Sequence, residues 1–207
     1  MVEQTDERSI YEKAVQDRSF IKFILGAVVR YKQYIKHQYI QKIARKNGAV
    51  IGNGVVMPLS LAKKVNKNWM IGDHVSINTD DFSSYRHSIK IGNNVIIGNN
   101  VRFVMGSHNI DSPEWENFRP NKGLVIEDYV WLCPGCTILP SVTKIAYGTV
   151  VGANAVLTKD TNAMSVWGGN PAKIIRQRKC VHSKLIVESL LGGDFLAYIK
   201  TRKNKLK

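Results

Sequence analysis

The stretch IKIGNNVIIGNNVRFVMGSHNID, residues 89–111, decides the fold of this chain. Its large apolar residues Ile91, Ile97 and Phe103 lie six positions apart. That spacing matches neither the two-residue period of a strand nor the 3.6-residue period of a helix. A period of six is typical of a coil in which every six residues form one short strand and one bend.

The same spacing continues on both sides of this stretch. It passes through Leu59, Val65, Ile71 and Ile77 before it, and through Ile126, Leu132, Ile138, Ile145, Val151 and Leu157 after it. Smaller apolar residues stand four positions after many of these, at Val75, Val95, Val101, Val130, Cys136, Val142 and Ala155. Stacked coils would bury both sets in columns and would pair each strand with the coils above and below it. We therefore predict a mainly β protein with a parallel β-helix over residues 48–168.

Glycine and asparagine residues stand where such a coil must bend. Gly72, Gly92, Gly98 and Gly152 directly follow residues of the six-residue repeat, and Asn93, Asn94, Asn99 and Asn100 follow closely. These residue types tolerate the tight or left-handed backbone that a corner requires.

The two ends of the chain differ in character from the repeat. Residues 1–47 are predicted to form a basic amphipathic helical segment, with apolar residues at helical spacing at Phe20, Ile24, Val28, Tyr31, Ile35 and Ile43. We expect this segment to cap the open end of the coil, with association at a membrane surface as the alternative. Residues 169–207 are predicted to form a C-terminal helical segment and a basic tail, with Pro171 in the first turn of a helix.

Composition bounds the partners and the location. The 207 residues suffice for one main domain, and the net charge of +14 favours anionic partners such as a phosphorylated cofactor, an acidic polysaccharide, a membrane surface or nucleic acid. Nucleic acid is not expected, because no known reading module is present. The beginning of the chain lacks the layout of a secretory signal, so we expect a cytoplasmic protein, with peripheral contact at the inner face of the membrane as a further option.

Cys133 and Cys136 have the spacing of a redox or metal half-site. A thioredoxin-type motif needs a strand-to-helix context and a zinc site needs further ligands nearby, and the sequence shows neither. Since Cys136 also stands at one of the smaller apolar positions of the repeat, we expect it to be a core residue and expect no metal.

The repeat, together with VIEDYVWLCPGCTILPSVTKIAYGTVVGANAVLTKD (residues 125–160) and GGNPAKIIRQRK (residues 168–179), resembles the hexapeptide-repeat acyltransferases. Within them it is similar to the maltose and galactoside O-acetyltransferases and to the acetyltransferases of bacterial surface-polysaccharide synthesis. The resemblance covers about residues 50–178. It implies a left-handed β-helix, a homotrimer with its sites between adjacent coils, and acetyl-CoA as the co-substrate.

The repeat lapses after Phe103 and resumes at Ile126, and His108 stands at the start of this insertion. Repeat proteins place such loops on a binding face, which favours a functional over a purely structural histidine. By resemblance, His108 is the catalytic base. An imidazole, with a pKa of about 6.5 in water, can take a hydroxyl proton near neutral pH and return it to a leaving thiolate. Asn78 matches the substrate-contacting asparagine of the family, and a corner asparagine is the alternative.

Other candidate residues concern binding. Trp131 matches an aromatic position near the acceptor, where it would stack on a sugar ring or simply pack. Asp80, Asp81 and Glu114 are candidate acceptors of hydrogen bonds from sugar hydroxyls, with solvated acidic loops as the alternative.

By resemblance, Gly152 and Ala153 would let the pantetheine arm of coenzyme A approach the backbone. Lys159, Lys173 and Arg176 would meet its nucleotide phosphates.

The sequence thus predicts a coenzyme A-dependent acetyltransferase that acts on a hydroxyl of a sugar or of a surface-polysaccharide precursor. N-acetylation of an amino sugar or a xenobiotic would use the same site. A zinc-dependent carbonic anhydrase of the same fold is poorly supported, because the five histidines include no close pair near the insertion. A non-catalytic scaffold is the remaining class.

Overall fold

The strands of the repeat lie on three sheets that the chain visits in turn.

A computed structural model describes residues 9–82, 88–104, 106–118, 123–181 and 185–205, without the side chains of Phe118 and Lys205. His87, His182 and the end of the basic tail, residues 206–207, lie outside the described residues.

The first sheet contains β1 (Val50–Ile51), β2 (Trp69–Ile71), β4 (Ile89–Ile91), β9 (Leu124–Ile126) and β12 (Lys144–Ile145) in that order. The second contains β3 (Ser76–Ile77), β5 (Ile96–Ile97), β10 (Trp131–Leu132), β13 (Val150–Val151), β15 (Ser165–Gly168) and β16 (Lys173–Gln177). The third contains β6 (Arg102–Phe103), β11 (Thr137–Ile138) and β14 (Val156–Leu157). Within these three sheets all strand pairs are parallel except β15 with β16. The coils that begin at β4, β9 and β12 each contribute one strand to every sheet, which makes a three-sided parallel β-helix.

The register stacks the six-residue repeat into buried columns, as predicted. In the first sheet Ile71, Ile91, Ile126 and Ile145 follow one another, and each is at most 3% exposed. In the second sheet the column is Ile77, Ile97, Leu132, Val151 and Trp167, and in the third it is Phe103, Ile138 and Leu157. Each fully buried Ile or Leu contributes roughly 1.5–3 kcal/mol, so these columns dominate the stability of the coil.

The corners use asparagine and glycine for different reasons. Asn94 and Asn100 have φ of +56° and +55°, the left-handed backbone that was predicted at the bends. Gly72 does not have a positive φ; a Cβ there would lie 2.8 Å from the backbone of Gly92 in the next coil. Glycine is therefore needed at that corner because the stacked backbones approach closely.

Two elements differ from the sequence prediction. Leu59 does not belong to the coil, because Leu59–Lys64 forms helix α3, which starts after Pro58 and carries Lys63 and Lys64 in its last turn, where cations complement the helix dipole. Pro171 is followed by β16 rather than by a helix. The β-branched pair Ile174 and Ile175 suits a strand, and β16 pairs antiparallel with β15.

The ends of the chain pack against each other. Helix α1 (Ile10–Gln16) and helix α2 (Phe20–Lys46) precede the coil, and a 3₁₀ helix (Val187–Leu191) and α4 (Phe195–Lys205) follow it. Helix α2 contacts β1, α3 and α4. Its residues Ile40 and Ala44 are buried with the coil residues, so the second half of α2 covers the end of the stack at β1.

The apolar stripe that marked α2 in the sequence faces outward. Five of the six residues named for it are exposed, at Phe20, Ile24, Val28, Tyr31 and Ile35. The buried side of the helix instead carries Phe23, His37, Ile40, Gln41 and Ala44. Within the described ranges, no helix is both long and apolar enough to span a membrane.

Candidate active site

His108 lies on a short hairpin that leaves the coil between β6 and β9. Strand β7 (Ser107–His108) pairs antiparallel with β8 (Asn117–Phe118), and the His108 side chain is exposed. Nδ1 of His108 lies 2.6 Å from the carbonyl oxygen of Trp115. A carbonyl only accepts, so Nδ1 is the protonated nitrogen and Nε2 of the neutral ring carries the lone pair. Within the described part of the chain Nε2 makes no hydrogen bond, which leaves it free to take a proton.

Asn78 and Trp131 line one cavity of about 500 Å³ on the outer face of the second sheet. Trp131 pairs in register with Ile96 of β5, so its side chain points away from the core and is 43% exposed. Asn78 directly follows β3, and its backbone N–H donates to the carbonyl of Ile97. The sheet therefore presents an amide and an indole to the same space.

The wall of this cavity comes from the end of the chain. Arg178 donates from Nη1 to the carbonyl oxygens of Tyr129 at 2.8 Å and Gly148 at 2.9 Å. Leu190 and Leu191, from the 3₁₀ helix, complete the apolar side. Sequence reasoning missed Arg178 and these leucines, because the contacts join segments far apart in the chain.

Asp80 and Asp81 line a different, charged cavity of about 600 Å³ together with Lys64 and Arg102. The side chain of Ser60 donates a hydrogen bond to Asp80 and, with Lys64 at 3.3 Å, lowers the pKa of this carboxyl. Its carboxylate is thus already engaged by its own chain.

The candidate cofactor residues gather around β15 and β16. Gly152 follows β13, and a Cβ on it would lie 3.1 Å from the carbonyl oxygen of Trp167. The ammonium of Lys159 lies 5.9 Å from the centre of the Trp167 ring. Lys173 and Arg176 are exposed on β16, and Ala153 is exposed beside Gly152. Three cations thus lie on or beside β15 and β16.

These groups remain separate within one chain. Asn78 shares a cavity with Trp131, and Asp80 shares one with Asp81, whereas His108 and Glu114 are exposed on the hairpin and line neither of these two cavities.

Cys136 is a core residue, as predicted. It is fully buried, and burial raises the pKa of its thiol to about 12. Burial also raises the pKa of Cys133. Neither thiol is therefore an activated nucleophile near neutral pH.

The fold and the sequence were compared with solved structures and with known proteins. The hexapeptide-repeat containing acetyltransferase VCA0836 from Vibrio cholerae superposes with a TM-score of 0.58 at 27% identity, over 83% of this chain and 95% of that one. The putative colanic acid biosynthesis acetyltransferase WcaF of Escherichia coli is 31% identical over 159 residues, 75% of this chain and 84% of that protein. The chain belongs to the hexapeptide-repeat acetyltransferases.

Other matches agree with this family. The galactoside O-acetyltransferase of Lactococcus lactis is 30% identical over 139 residues, 66% of each chain. The Vibrio cholerae acetyltransferase has also been solved complexed with acetyl coenzyme A, in a structure that matches with a TM-score of 0.52 at 24% identity, over 84% of this chain and 93% of that one. No family model matches the chain.

Proposed function

We propose that this hexapeptide-repeat acetyltransferase moves the acetyl group of acetyl-CoA to a hydroxyl of a sugar or of a surface-polysaccharide precursor. The observation that carries the proposal is the His108 imidazole, held at Nδ1 by the Trp115 carbonyl and open at Nε2. The names of two relatives, one of colanic acid biosynthesis and one acting on galactosides, support a carbohydrate acceptor.

His108 would act as general base. Its Nε2 takes the proton of the acceptor hydroxyl while that oxygen bonds to the acetyl carbon, and the carbon–sulfur bond breaks. The imidazolium then returns the proton to the leaving sulfur, so charge and protons balance. Acetyl-CoA would supply the acetyl group as a thioester.

The remaining candidates would bind the two substrates. Asn78 and Trp131 would hold the acceptor, the amide by a hydrogen bond and the indole by stacking on the sugar ring. Asp80, Asp81 and Glu114 are further candidates for contacts to hydroxyls.

Coenzyme A would lie along the other group of candidates. Gly152 and Ala153 would let the pantetheine arm approach the backbone, and Lys159, Lys173 and Arg176 would meet the phosphates.

We also infer that the site forms between subunits of a homotrimer. His108 lies on a hairpin that leaves its own coil, and it lines neither the cavity of Asn78 and Trp131 nor that of Asp80 and Asp81, which is what a residue that completes a neighbour's site requires. We also propose that the β-helix is left-handed and that the protein is cytoplasmic, as the sequence predicts.

Multi-angle light scattering on the purified chain measures the oligomeric state directly. A monomer with acetyltransferase activity would contradict a site shared between subunits.

Labelled acetyl-CoA tests the reaction. The protein is incubated with it and a panel of glycans, lipid-linked sugars and amino compounds, and mass spectrometry locates the label. We expect label on an acceptor oxygen and no consumption of acetyl-CoA without acceptor. Label on nitrogen would identify an N-acetyltransferase instead. Absence of coenzyme A binding in calorimetry would favour a non-catalytic scaffold.

A further inference from the structure

The first half of helix α2 exposes a broad apolar surface. Its large exposed side chains are Phe20, Ile21, Ile24, Leu25, Val28 and Val29, and each is at least 43% exposed. At 100° per residue they cover roughly half of the helix circumference, opposite the buried Phe23. Leaving six such side chains in water over three turns is unfavourable, so this face fits a partner.

The charge of the same helix is of one sign. Residues 20–46 contain no Asp or Glu, and their seven basic residues are Lys22, Arg30, Lys32, Lys36, Lys42, Arg45 and Lys46. The lysines at 22, 32 and 36 are exposed beside or just beyond the apolar surface. An apolar face bordered by lysines, without acidic residues, is complementary to a surface that combines hydrocarbon with negative charge.

We propose that this face of α2 binds an anionic lipid bilayer, with residues 20–29 at the boundary between headgroups and acyl chains and the lysines at the lipid phosphates. The helix lies in the plane of the surface. Its 27 residues make it about 40 Å long, and no described helix meets the requirements for crossing a membrane.

The opposite side of α2 is fixed to the rest of the protein, so binding needs no rearrangement. The rings of Phe23 and Tyr198 stack at 4.8 Å between centroids. Nε of Arg30 donates to Oδ2 of Asp194 at 2.9 Å. These contacts anchor α2 to the C-terminal segment, and Ile40 and Ala44 bury its second half against the coil. Lipid contact at the outer face would therefore hold the whole coil against the membrane.

A second copy of the chain fits this face less well. Two paired helices bury a narrow seam at heptad spacing, whereas Leu25 and Val29 widen the apolar surface beyond such a seam. Pairing would also bring Lys32 and Lys36 of one copy close to lysines of the other. No acidic residue of α2 would compensate for that repulsion.

Sedimentation with vesicles tests the proposal on the full chain and requires no turnover, so its outcome is independent of the proposed function. We expect the protein to pellet with vesicles of phosphatidylcholine mixed with phosphatidylglycerol, and to do so less at high salt. The double variant Leu25→Gln, Val28→Gln should bind at least about tenfold more weakly. Charge reversal by Lys32→Glu and Lys36→Glu should cost roughly 25-fold or more on anionic vesicles and little on phosphatidylcholine alone.

The matched control is Ile175→Gln, which removes a side chain as exposed as Leu25, 68% against 63%, but on β16. It should bind vesicles like the unchanged protein. Circular dichroism checks that each variant stays folded. The proposal is overturned if the unchanged protein does not pellet, or if the α2 variants bind as well as the control. It is also overturned if sedimentation velocity shows that Leu25→Gln, Val28→Gln dissociates an oligomer, because the face would then join copies of the chain.

Discussion

Nδ1 of His108 lies 2.6 Å from the carbonyl oxygen of Trp115, seven residues further along the same hairpin. The contact selects the tautomer whose free lone pair is on Nε2. We expect His108→Ala to lower kcat of acetyl transfer by roughly 10²–10⁴-fold, the usual contribution of a general base. Because the His108 side chain is exposed, the same substitution should change the free energy of unfolding of the protein by less than about 0.5 kcal/mol.

A matched control separates catalysis from structure at this position. Ile110 is exposed on the same hairpin, and Ile110→Ala should leave both kcat and stability near their original values. Steady-state kinetics and urea unfolding of both variants decide the matter. Full activity of His108→Ala would remove the proposed base.

Trp131 is predicted to act mainly in acceptor binding. Its indole points into the cavity that it shares with Asn78, and aromatic stacking contributes about 0.5–1.5 kcal/mol. Trp131→Leu should therefore raise KM for the acceptor by roughly 2–12-fold and leave KM for acetyl-CoA unchanged. The control is Tyr39→Leu, which replaces an exposed aromatic side chain on α2 and should change neither KM value. An equal rise in both KM values would assign Trp131 to packing.

The coil was predictable because its signal is local. A residue such as Ile97 must be large and apolar wherever the strand turns its side chain inward, and the period of six follows directly. Helix α3 was missed because Leu59 falls by coincidence on the same spacing, while its environment is set by α2, which packs on it from another part of the chain.

The site was predictable only in part. His108 stands where the repeat stops, which the sequence shows. Its orientation depends on Trp115, whose φ of +48° no pattern indicates. Arg178 lines the same cavity as Asn78 through bonds to residues 30 and 49 positions away. Such contacts become visible only once the chain is folded.

Neighbouring residues of β9 allow a paired test of the columns. Ile126 is 1% exposed and points inward, whereas Val125 is 38% exposed and points outward. Ile126→Ala should lower the free energy of unfolding by about 2–5 kcal/mol, through lost burial and a cavity. Val125→Ala should cost less than about 1 kcal/mol. Similar losses in chemical denaturation would contradict the observed register.

The contact between Arg30 and Asp194 joins the two ends of the chain, and we predict that it contributes to stability. Asp194 accepts from Arg30 and, at 2.6 Å, from the hydroxyl of Tyr11, and its side chain is 1% exposed. Asp194→Asn should lower the free energy of unfolding by about 1.5–3 kcal/mol. The surface pair of Glu127 and Lys144 provides the comparison: Glu127→Gln should cost less than about 1 kcal/mol. If both variants lose the same amount by urea unfolding, the buried contact has no special role.

His37 is predicted to make the protein sensitive to acid. Its ring is buried, with Nε2 3.2 Å from the carbonyl oxygen of Leu191, and among the described residues Nδ1 has no hydrogen-bond partner. Burial lowers the pKa of His37 below its ordinary value of 6.5. As the pH falls through about 6.5, His37 therefore becomes protonated in the unfolded chain before it does so in the native state. The free energy of unfolding decreases as the pH falls through that value.

The variant His37→Gln keeps a polar side chain of similar length and removes the titration. Between about pH 7.5 and pH 5.5 the unchanged protein should lose up to about 1.4 kcal/mol more stability than the variant, the linkage limit for one proton. Urea unfolding at both pH values measures the difference. The contributions of the other histidines cancel, because both proteins contain them. Parallel pH profiles for the two proteins would show that His37 accepts its proton in the folded state as readily as in the unfolded chain.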